Sequence, residues 1–343
     1  MSPRVLFVLN AGPQVGGGHV MRSLTLAAAL TERGAECLFL ADPAIETLLE
    51  SFAPDLNRRP VGDLSPETLA AAAEAMAFEA VVFDHYGLSK AHQEAIADGR
   101  PTLVIDDLAD RPLAADLVLD SGPARIEADY AGLAGRARLL LGPRYAPVRP
   151  AFAAVRNYAL SRRAREPRRV LVSLGLTDLN GITGKVVERL RRRFGEAELD
   201  VVIGAGAASR RGLERIAAHD PRLALHIDSL DMAELSARAD LAVGAAGSSM
   251  WERCVLALPS VVIVLADNQR PAAEALAKAG AVLAVDGAAA TFEADLDRAV
   301  TRLFVDESLR HQLAERSAEL CDGQGAARTA DAFWPLLVQA ATV

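Results

Sequence analysis

The chain has 343 residues, of which 51% are hydrophobic and 24% charged, with a formal net charge of −8. That length exceeds what one hydrophobic core supports and points to two domains, and the composition excludes a disordered chain. The acidic balance excludes a general attraction to nucleic acid, while a local basic pocket for a small anionic ligand remains compatible with it.

Taken in chain order, short apolar runs at 5–9, 37–40, 80–83, 102–105 and 117–119 read as buried parallel strands. The first run is too short for a signal-peptide core or a membrane span, so no membrane insertion is expected and the cytoplasm is the default compartment. A helix is expected over 19–33, where Leu24, Leu26, Ala27 and Leu30 make an apolar face and Gly34 a left-handed stop. This is a βα unit opening a doubly wound sheet. After the basic stretch 162–169, read as a solvated hinge surface, the pattern restarts with a strand at 170–173 and a helix at 180–193. Strands at 201–204, 223–227, 241–243 and 261–264 and helices at 232–238, 249–257 and 270–279 continue it. The expected organisation is a first domain over 1–160, a second over 161–324, and a C-terminal helix within 325–343 that packs back on the first. The fold class is α/β, with two doubly wound Rossmann-like domains facing a cleft.

Cys37, Cys254 and Cys321 show no metal-type spacing, and no G-x-S-x-G elbow occurs in a suitable context, so neither a zinc site nor covalent acyl chemistry is expected. The run Gly16-Gly17-Gly18-His19 follows the first strand, where glycines admit close backbone approach and open N–H groups suit an anion. It is not the dinucleotide fingerprint, because Met21 stands where its last glycine belongs; a nicotinamide cofactor is disfavoured. His19 suits proton transfer at a strand's carboxyl end, or caps the helix start. Asp84-His85-Tyr86 leaves another strand at the same edge, where Asp84 orients an imidazole or binds a sugar hydroxyl. Asp106-Asp107 follows the next strand, either holding hydroxyls, sharing a proton or helping to bind Mg²⁺, or starting a loop and capping a helix.

In the second half, the Gly244–Glu252 segment reads as strand, small-residue turn and helix. Gly247, Ser248 and Ser249 would offer donors to a diphosphate and Glu252 would accept from ribose hydroxyls; the plain alternative is a glycine turn with a serine cap and a favourable first-turn charge. Asn268 and Gln269 suit sugar hydroxyls or acetamido groups, or cap their loop. The segment around Gly175 and Asp178 contacts phosphate or borders the cleft, or Asp178 only caps the next helix.

Together these segments resemble the UDP-2,4-diacetamido-2,4,6-trideoxy-β-L-altropyranose hydrolase family of pseudaminic acid biosynthesis, within the glycosyltransferase-B superfamily. The resemblance spans nearly the whole chain and rests on GGGHVMRSLTLAAAL at 16–30, DHYGL at 84–88, IDDLADR at 105–111, LLLGPRYAPVRPAF at 139–152, AAGSSMWERC at 245–254, ADNQ at 266–269 and CDGQGAAR at 321–328. It implies a glycosyltransferase-B fold in which His19 activates water to release UDP and free sugar, for flagellin or surface-glycan modification. It implies diphosphate on Ser248 and Ser249, ribose on Glu252 and the sugar near Asn268 and Gln269. With the residue reading above, Gly175 and Gly247 join the expected UDP set and Gly17, Gly18, Asp84, His85 and Tyr86 the expected sugar set, with no cofactor and no metal. Two positions depart from the family pattern: Leu9-Asn10-Ala11-Gly12-Pro13 lacks the charges of its Arg-Ala-Asp-like run, and Leu176 replaces the second of two glycines. A glycosyltransferase using a UDP-sugar donor, and a silent nucleotide-sugar binding protein, are the alternatives.

Overall fold

The computed structural model describes residues 2–12, 17–163 and 166–342, apart from the side chain of residue 179. In chain order the first part contains β1 (Arg4–Leu9), α1 (Gly18–Thr31), β2 (Glu36–Ala41), α2 (Pro43–Phe52), β3 (Arg58–Pro60), α3 (Pro66–Glu74), β4 (Ala80–Asp84), α4 (Lys90–Ala97), β5 (Thr102–Ile105), β6 (Leu117–Asp120) and β7 (Arg138–Leu141). There follow α5 (Pro150–Arg162), β8 (Arg169–Ser173), α6 (Ile182–Arg193), β9 (Glu198–Ile203), α7 (Arg210–Ala217), β10 (Leu223–Ile227), α8 (Met232–Arg238) and β11 (Leu241–Ala245). The rest comprises α9 (Ser249–Val255), β12 (Ser260–Val264), α10 (Arg270–Lys278), β13 (Leu283–Asp286), α11 (Phe292–Val305), α12 (Glu307–Leu320) and α13 (Gly325–Ala340).

The chain divides into two compact units, one of residues up to 148 together with those from 324 onward, the other of 149–323. Each is built on a parallel sheet, ordered β3-β2-β1-β4-β5-β6-β7 in the first and β10-β9-β8-β11-β12-β13 in the second. Strands covered on both faces must be apolar throughout, and Val5, Leu6, Phe7, Val8 and Leu9 of β1 are all fully buried. Strand order reverses between β1 and β4 and again between β8 and β11, leaving at each place a crevice outside the strands' carboxyl ends.

The strands missed in the sequence include β3, β7 and β13, all at sheet edges. β3 is Arg-Arg-Pro, and an edge strand tolerates both the exposed charge and the missing proline donor. The expected boundary at 160 falls at the end of α5, whereas the units part at 148–149, so the boundary is corrected to the start of α5. The cause lies in the basic stretch read as a solvated hinge. Arg163 donates to the carbonyls of Ala239 and Leu256, and Arg162 to Arg238 and Asp240, tying α5 into the second unit.

In the first unit α13 packs on α1, and its Ala326, Ala330, Phe333 and Leu337 are buried in one cluster with Leu26 and Leu30. Close approach begins at Gly325, where a Cβ would lie 2.2 Å from the Ala146 carbonyl oxygen. Among the described residues no helix is long and apolar enough to cross a membrane.

Candidate functional site

In the first unit, Gly17 is the N-cap of α1 and His19 its second residue, while Asp84 ends β4, the strand on the far side of the switch point. Gly16 lies outside the described residues. His19, Arg22 and Ser23 share one face of α1, because residues three and four apart stack on a helix. That face meets Asp84. His19 Nδ1 lies 2.5 Å from Asp84 Oδ1, Arg22 Nε donates to Oδ2 at 2.7 Å and Nη2 to Oδ1 at 2.5 Å, and the Ser23 hydroxyl donates to Oδ2 at 3.2 Å.

Asp84 is 1% exposed. Burial alone would raise its pKa, but the charges and hydrogen bonds of Arg22 and His19 outweigh it and hold the carboxyl far below the ordinary range. Burial likewise opposes the Arg22 charge, and Asp84 and Asp107 reverse the effect, raising its pKa. An ionised carboxylate only accepts, and two lone pairs cannot face each other at 2.5 Å, so the proton in this contact sits on His19 Nδ1. In the neutral imidazole Nε2 then carries the free lone pair, while Arg22 Nη2, 3.1 Å from Nδ1, shares Asp84 Oδ1 with it.

A second layer fixes the first. Arg22 Nη1 donates to Asp107 Oδ2 at 3.0 Å, Tyr86 donates its hydroxyl to Asp107 Oδ1 at 2.7 Å, and the Tyr86 ring meets His19 edge-on at 4.7 Å between centroids. His85 turns to its own loop, where Nδ1 accepts from the Gly87 N–H at 3.0 Å; buried Nε2 has no partner among the described residues. Burial, then the charge of His19, pushes its pKa down to about 4.

Asp106 and Asp107 diverge, as adjacent residues leaving a strand do. Asp106 accepts from Ala109 N–H, Arg111 and the Tyr130 hydroxyl, while Asp107 faces Arg22 and Tyr86. They form no paired-carboxylate site, and among the described residues no three metal-ligating side chains cluster.

In the second unit, Gly175, Gly247 and Gln269 follow β8, β11 and β12, three neighbouring strands, at their carboxyl ends. Gly175 has φ +101°, a left-handed conformation that glycine adopts without strain. Leu176 directs its carbonyl at Gly204, where a Cβ would lie 2.4 Å away. A Cβ on Gly247 would lie 3.8 Å from Gln269 Nε2, so these two loops adjoin, and Gln269 Oε1 accepts from Leu265 N–H. Asn268 lies in the same short turn, 267–269, before α10. Ser248 and Ser249 are half-buried at the start of α9. Glu252 Oε1 accepts from Arg149 Nε at 2.9 Å and Nη2 at 2.8 Å. Asp178 is taken up structurally, accepting from the N–H groups of Thr183 and Ser209.

Sequence reasoning missed Arg22, Ser23, Arg149 and Arg253. The signal for the first two is the spacing H-x-x-R-S, which puts three polar groups on the helix face turned toward β4.

Residues 173–331 match the glycosyltransferase family 28 C-terminal domain. Over 284 residues the chain is 25% identical to the UDP-2,4-diacetamido-2,4,6-trideoxy-β-L-altropyranose hydrolase of Campylobacter jejuni, covering 81% of this chain and 97% of that protein. It is 27% identical over 197 residues to the spore coat polysaccharide biosynthesis protein SpsG of Bacillus subtilis, covering 57% of each, so this match spans little more than half of that relative. Among solved structures, MurG of Acinetobacter baumannii matches with TM-score 0.66 and 19% identity, covering 97% of this chain and 99% of that one. The S. aureus MnaA–UDP co-structure matches with TM-score 0.63 and 15% identity, covering 98% of both. These structural likenesses show the fold. The alignment runs along most of the Campylobacter hydrolase, and the two parallel sheets together with these structural likenesses give a glycosyltransferase-B fold.

Proposed function

We propose that the protein hydrolyses a UDP-linked diacetamido-trideoxy sugar to UDP and free sugar, with His19 as the general base. The observation that carries this reading is the contact of His19 Nδ1 with ionised Asp84, which leaves Nε2 to accept a proton. Water attacks the anomeric carbon, the carbon–oxygen bond to the diphosphate breaks with its electron pair leaving on UDP, and Nε2 takes the water's proton. The opposed Asp84 carboxylate then stabilises the imidazolium. UDP is a good leaving group, so the reaction needs no general acid in principle.

In this reading Asp84 orients His19 instead of touching sugar, since its oxygens already take His19, Arg22 and Ser23. Gly17, Gly18, His85, Tyr86, Asn268 and Gln269 are assigned to the sugar. Gly175, Gly247, Ser248, Ser249 and Glu252 are assigned to UDP, by their place at the carboxyl ends of β8 and β11 and the start of α9. The name of the Campylobacter relative supports the hydrolytic outcome and its substrate. With it come a cytoplasmic setting and a product destined for pseudaminic acid and flagellin or surface glycan.

The test is incubation of the purified protein with UDP-2,4-diacetamido-2,4,6-trideoxy-β-L-altropyranose, without acceptor or added metal, following UDP release and the mass of the sugar. Release of both products, lost in His19→Ala with UDP binding retained, is the expected result. UDP release unchanged in that variant would remove His19 as the base. A glycosyltransferase reading, in which an acceptor hydroxyl replaces water, is favoured by the match to the family 28 domain. It predicts a principal product that forms only when acceptor is present. UDP binding without turnover on any UDP-sugar would mark a silent binding protein.

A further inference from the structure

Arg253 lies in α9 with 3% of its surface exposed, and among the described residues no carboxylate sits within ion-pair distance of its guanidinium. Nη2 donates to the Ala245 carbonyl at 2.7 Å and Nη1 to Ser249 Oγ at 3.1 Å, while Nε has no partner among the described residues. Its sequence neighbour Glu252 accepts from Arg149 instead. Burial pushes the Arg253 pKa down to about 10, which leaves the group charged at neutral pH. The space it fills is built for it: a Cβ on Gly244 would lie 2.5 Å from Nη1 and 2.7 Å from Cζ.

A buried cation without a counter-charge is unfavourable, and the fold compensates two others in a different way. Arg163 donates to the carbonyls of Ala239 and Leu256, and Arg310 to those of Leu303 and Phe304. These carbonyls close α8, α9 and α11, where groups without intrahelical partners gather negative partial charge. Arg253 has one strand-end carbonyl and one hydroxyl. Each of the three leaves one guanidinium nitrogen without a partner among the described residues, but of the three Arg253 has the fewest carbonyls to offset its charge.

We propose that Arg253 is the buried counter-charge for a nucleoside diphosphate bound at the turn 247–249, acting through Ser249. Because the guanidinium donates to Ser249 Oγ, the serine's own hydrogen must be given elsewhere, and among the described residues no acceptor takes it. Ser249 is half-buried, so a phosphate oxygen can approach it. Arg253 is thus a positioning residue, and Ser249 is the group that touches the ligand. The inference rests on the nucleotide-binding reading of the second unit.

The test titrates UDP, uridine and inorganic pyrophosphate into the full-length protein and its variants. Arg253→Met is expected to bind UDP and pyrophosphate about tenfold or more weakly, in line with loss of a charge-assisted contact, with uridine unchanged. Arg253→Lys is expected to recover part of this, and Ser249→Ala added to Arg253→Met to lose less than the product of the single effects. If Arg253→Met does not fold, Gly244→Ala displaces the guanidinium while keeping its charge and should weaken the same two ligands. Equal weakening of all three ligands, or an unchanged UDP-to-uridine ratio, overturns the inference and leaves the nucleotide site standing. Wild-type protein that binds neither UDP nor pyrophosphate overturns both.

Discussion

Arg22 takes both carboxylate oxygens of Asp84, with Nε 2.7 Å from Oδ2 and Nη2 2.5 Å from Oδ1. The same Oδ1 faces His19 Nδ1, and the third guanidinium nitrogen goes on to Asp107, which accepts from Tyr86, whose ring returns to His19. The imidazole is held from two sides by one closed circuit. A planar fork is needed to join two carboxylates this way, which is why the position carries arginine.

Asp84→Asn keeps the shape and removes the charge. The amide must turn its NH2 toward either Arg22 or His19, and against His19 it would make Nδ1 an acceptor and move the imidazole's proton to Nε2. We expect kcat to fall by roughly 10³–10⁴, as when an orienting aspartate is replaced in a serine protease triad. UDP affinity should stay within about threefold, since the loss falls on the transition state and not on ground-state binding. Steady-state kinetics with UDP titration check this, and an undiminished kcat would remove Asp84 from the mechanism.

Arg22→Met removes the charge that opposes burial at Asp84, so the Asp84 pKa rises and the acid limb of kcat/KM moves to higher pH. In the native protein the folded pKa of Asp84 lies below its unfolded value of about 4. Its contribution to stability is then fully present above about pH 4 and is lost as pH falls toward the folded value. The stability gap between native protein and variant should therefore be widest above pH 4 and narrow below it. A gap of constant width in urea titrations across that range would contradict the ion pair.

How much of this was legible in the sequence follows burial. Central strands such as β1 and β4 are covered on both faces and so are written as unbroken apolar runs, whereas edge strand β3 reads Arg-Arg-Pro and carries no such mark. Asp84 stands out because it ends an apolar run at a switch point, and His19 because it follows a glycine run at the start of the first helix. Arg22 does not, since a helical arginine usually points to water, and only the position of Asp84 shows otherwise. Arg162 and Arg163 were misread for the same reason: charge suggested a solvated hinge, but carbonyls at the ends of α8 and α9 accept their hydrogen bonds.

His85 gives the first unit a pH dependence of its own. Burial and the charges of His19 and Arg111 outweigh the pull of Asp84 and hold its pKa at about 4, against about 6.5 when unfolded. Between those values the unfolded chain binds a proton that the folded chain refuses, so stability falls as pH drops from 6.5 to 4, by on the order of 3 kcal/mol in all. His85→Phe should flatten that slope. Urea midpoints taken between pH 7.5 and 4.5 decide it, and an equal slope in the variant would rule His85 out as the source.

Glu252 and Arg253 are neighbours that should act on different parts of one ligand. Glu252 is held by Arg149 through Oε1, which orients the carboxylate, and in the proposed complex it accepts from ribose hydroxyls. Glu252→Gln keeps an acceptor and loses the charge, so UDP should bind roughly tenfold more weakly, the scale of one charge-assisted hydrogen bond. Pyrophosphate has no ribose and should bind Glu252→Gln no more weakly than native protein. Removing a carboxylate near a phosphate site would, if anything, tighten it. Arg253→Met reverses the pattern, losing pyrophosphate and sparing uridine. Calorimetric titration of the two variants with the same three ligands separates the roles: if Glu252→Gln weakens pyrophosphate as much as UDP, the carboxylate supports the turn and does not read the ribose.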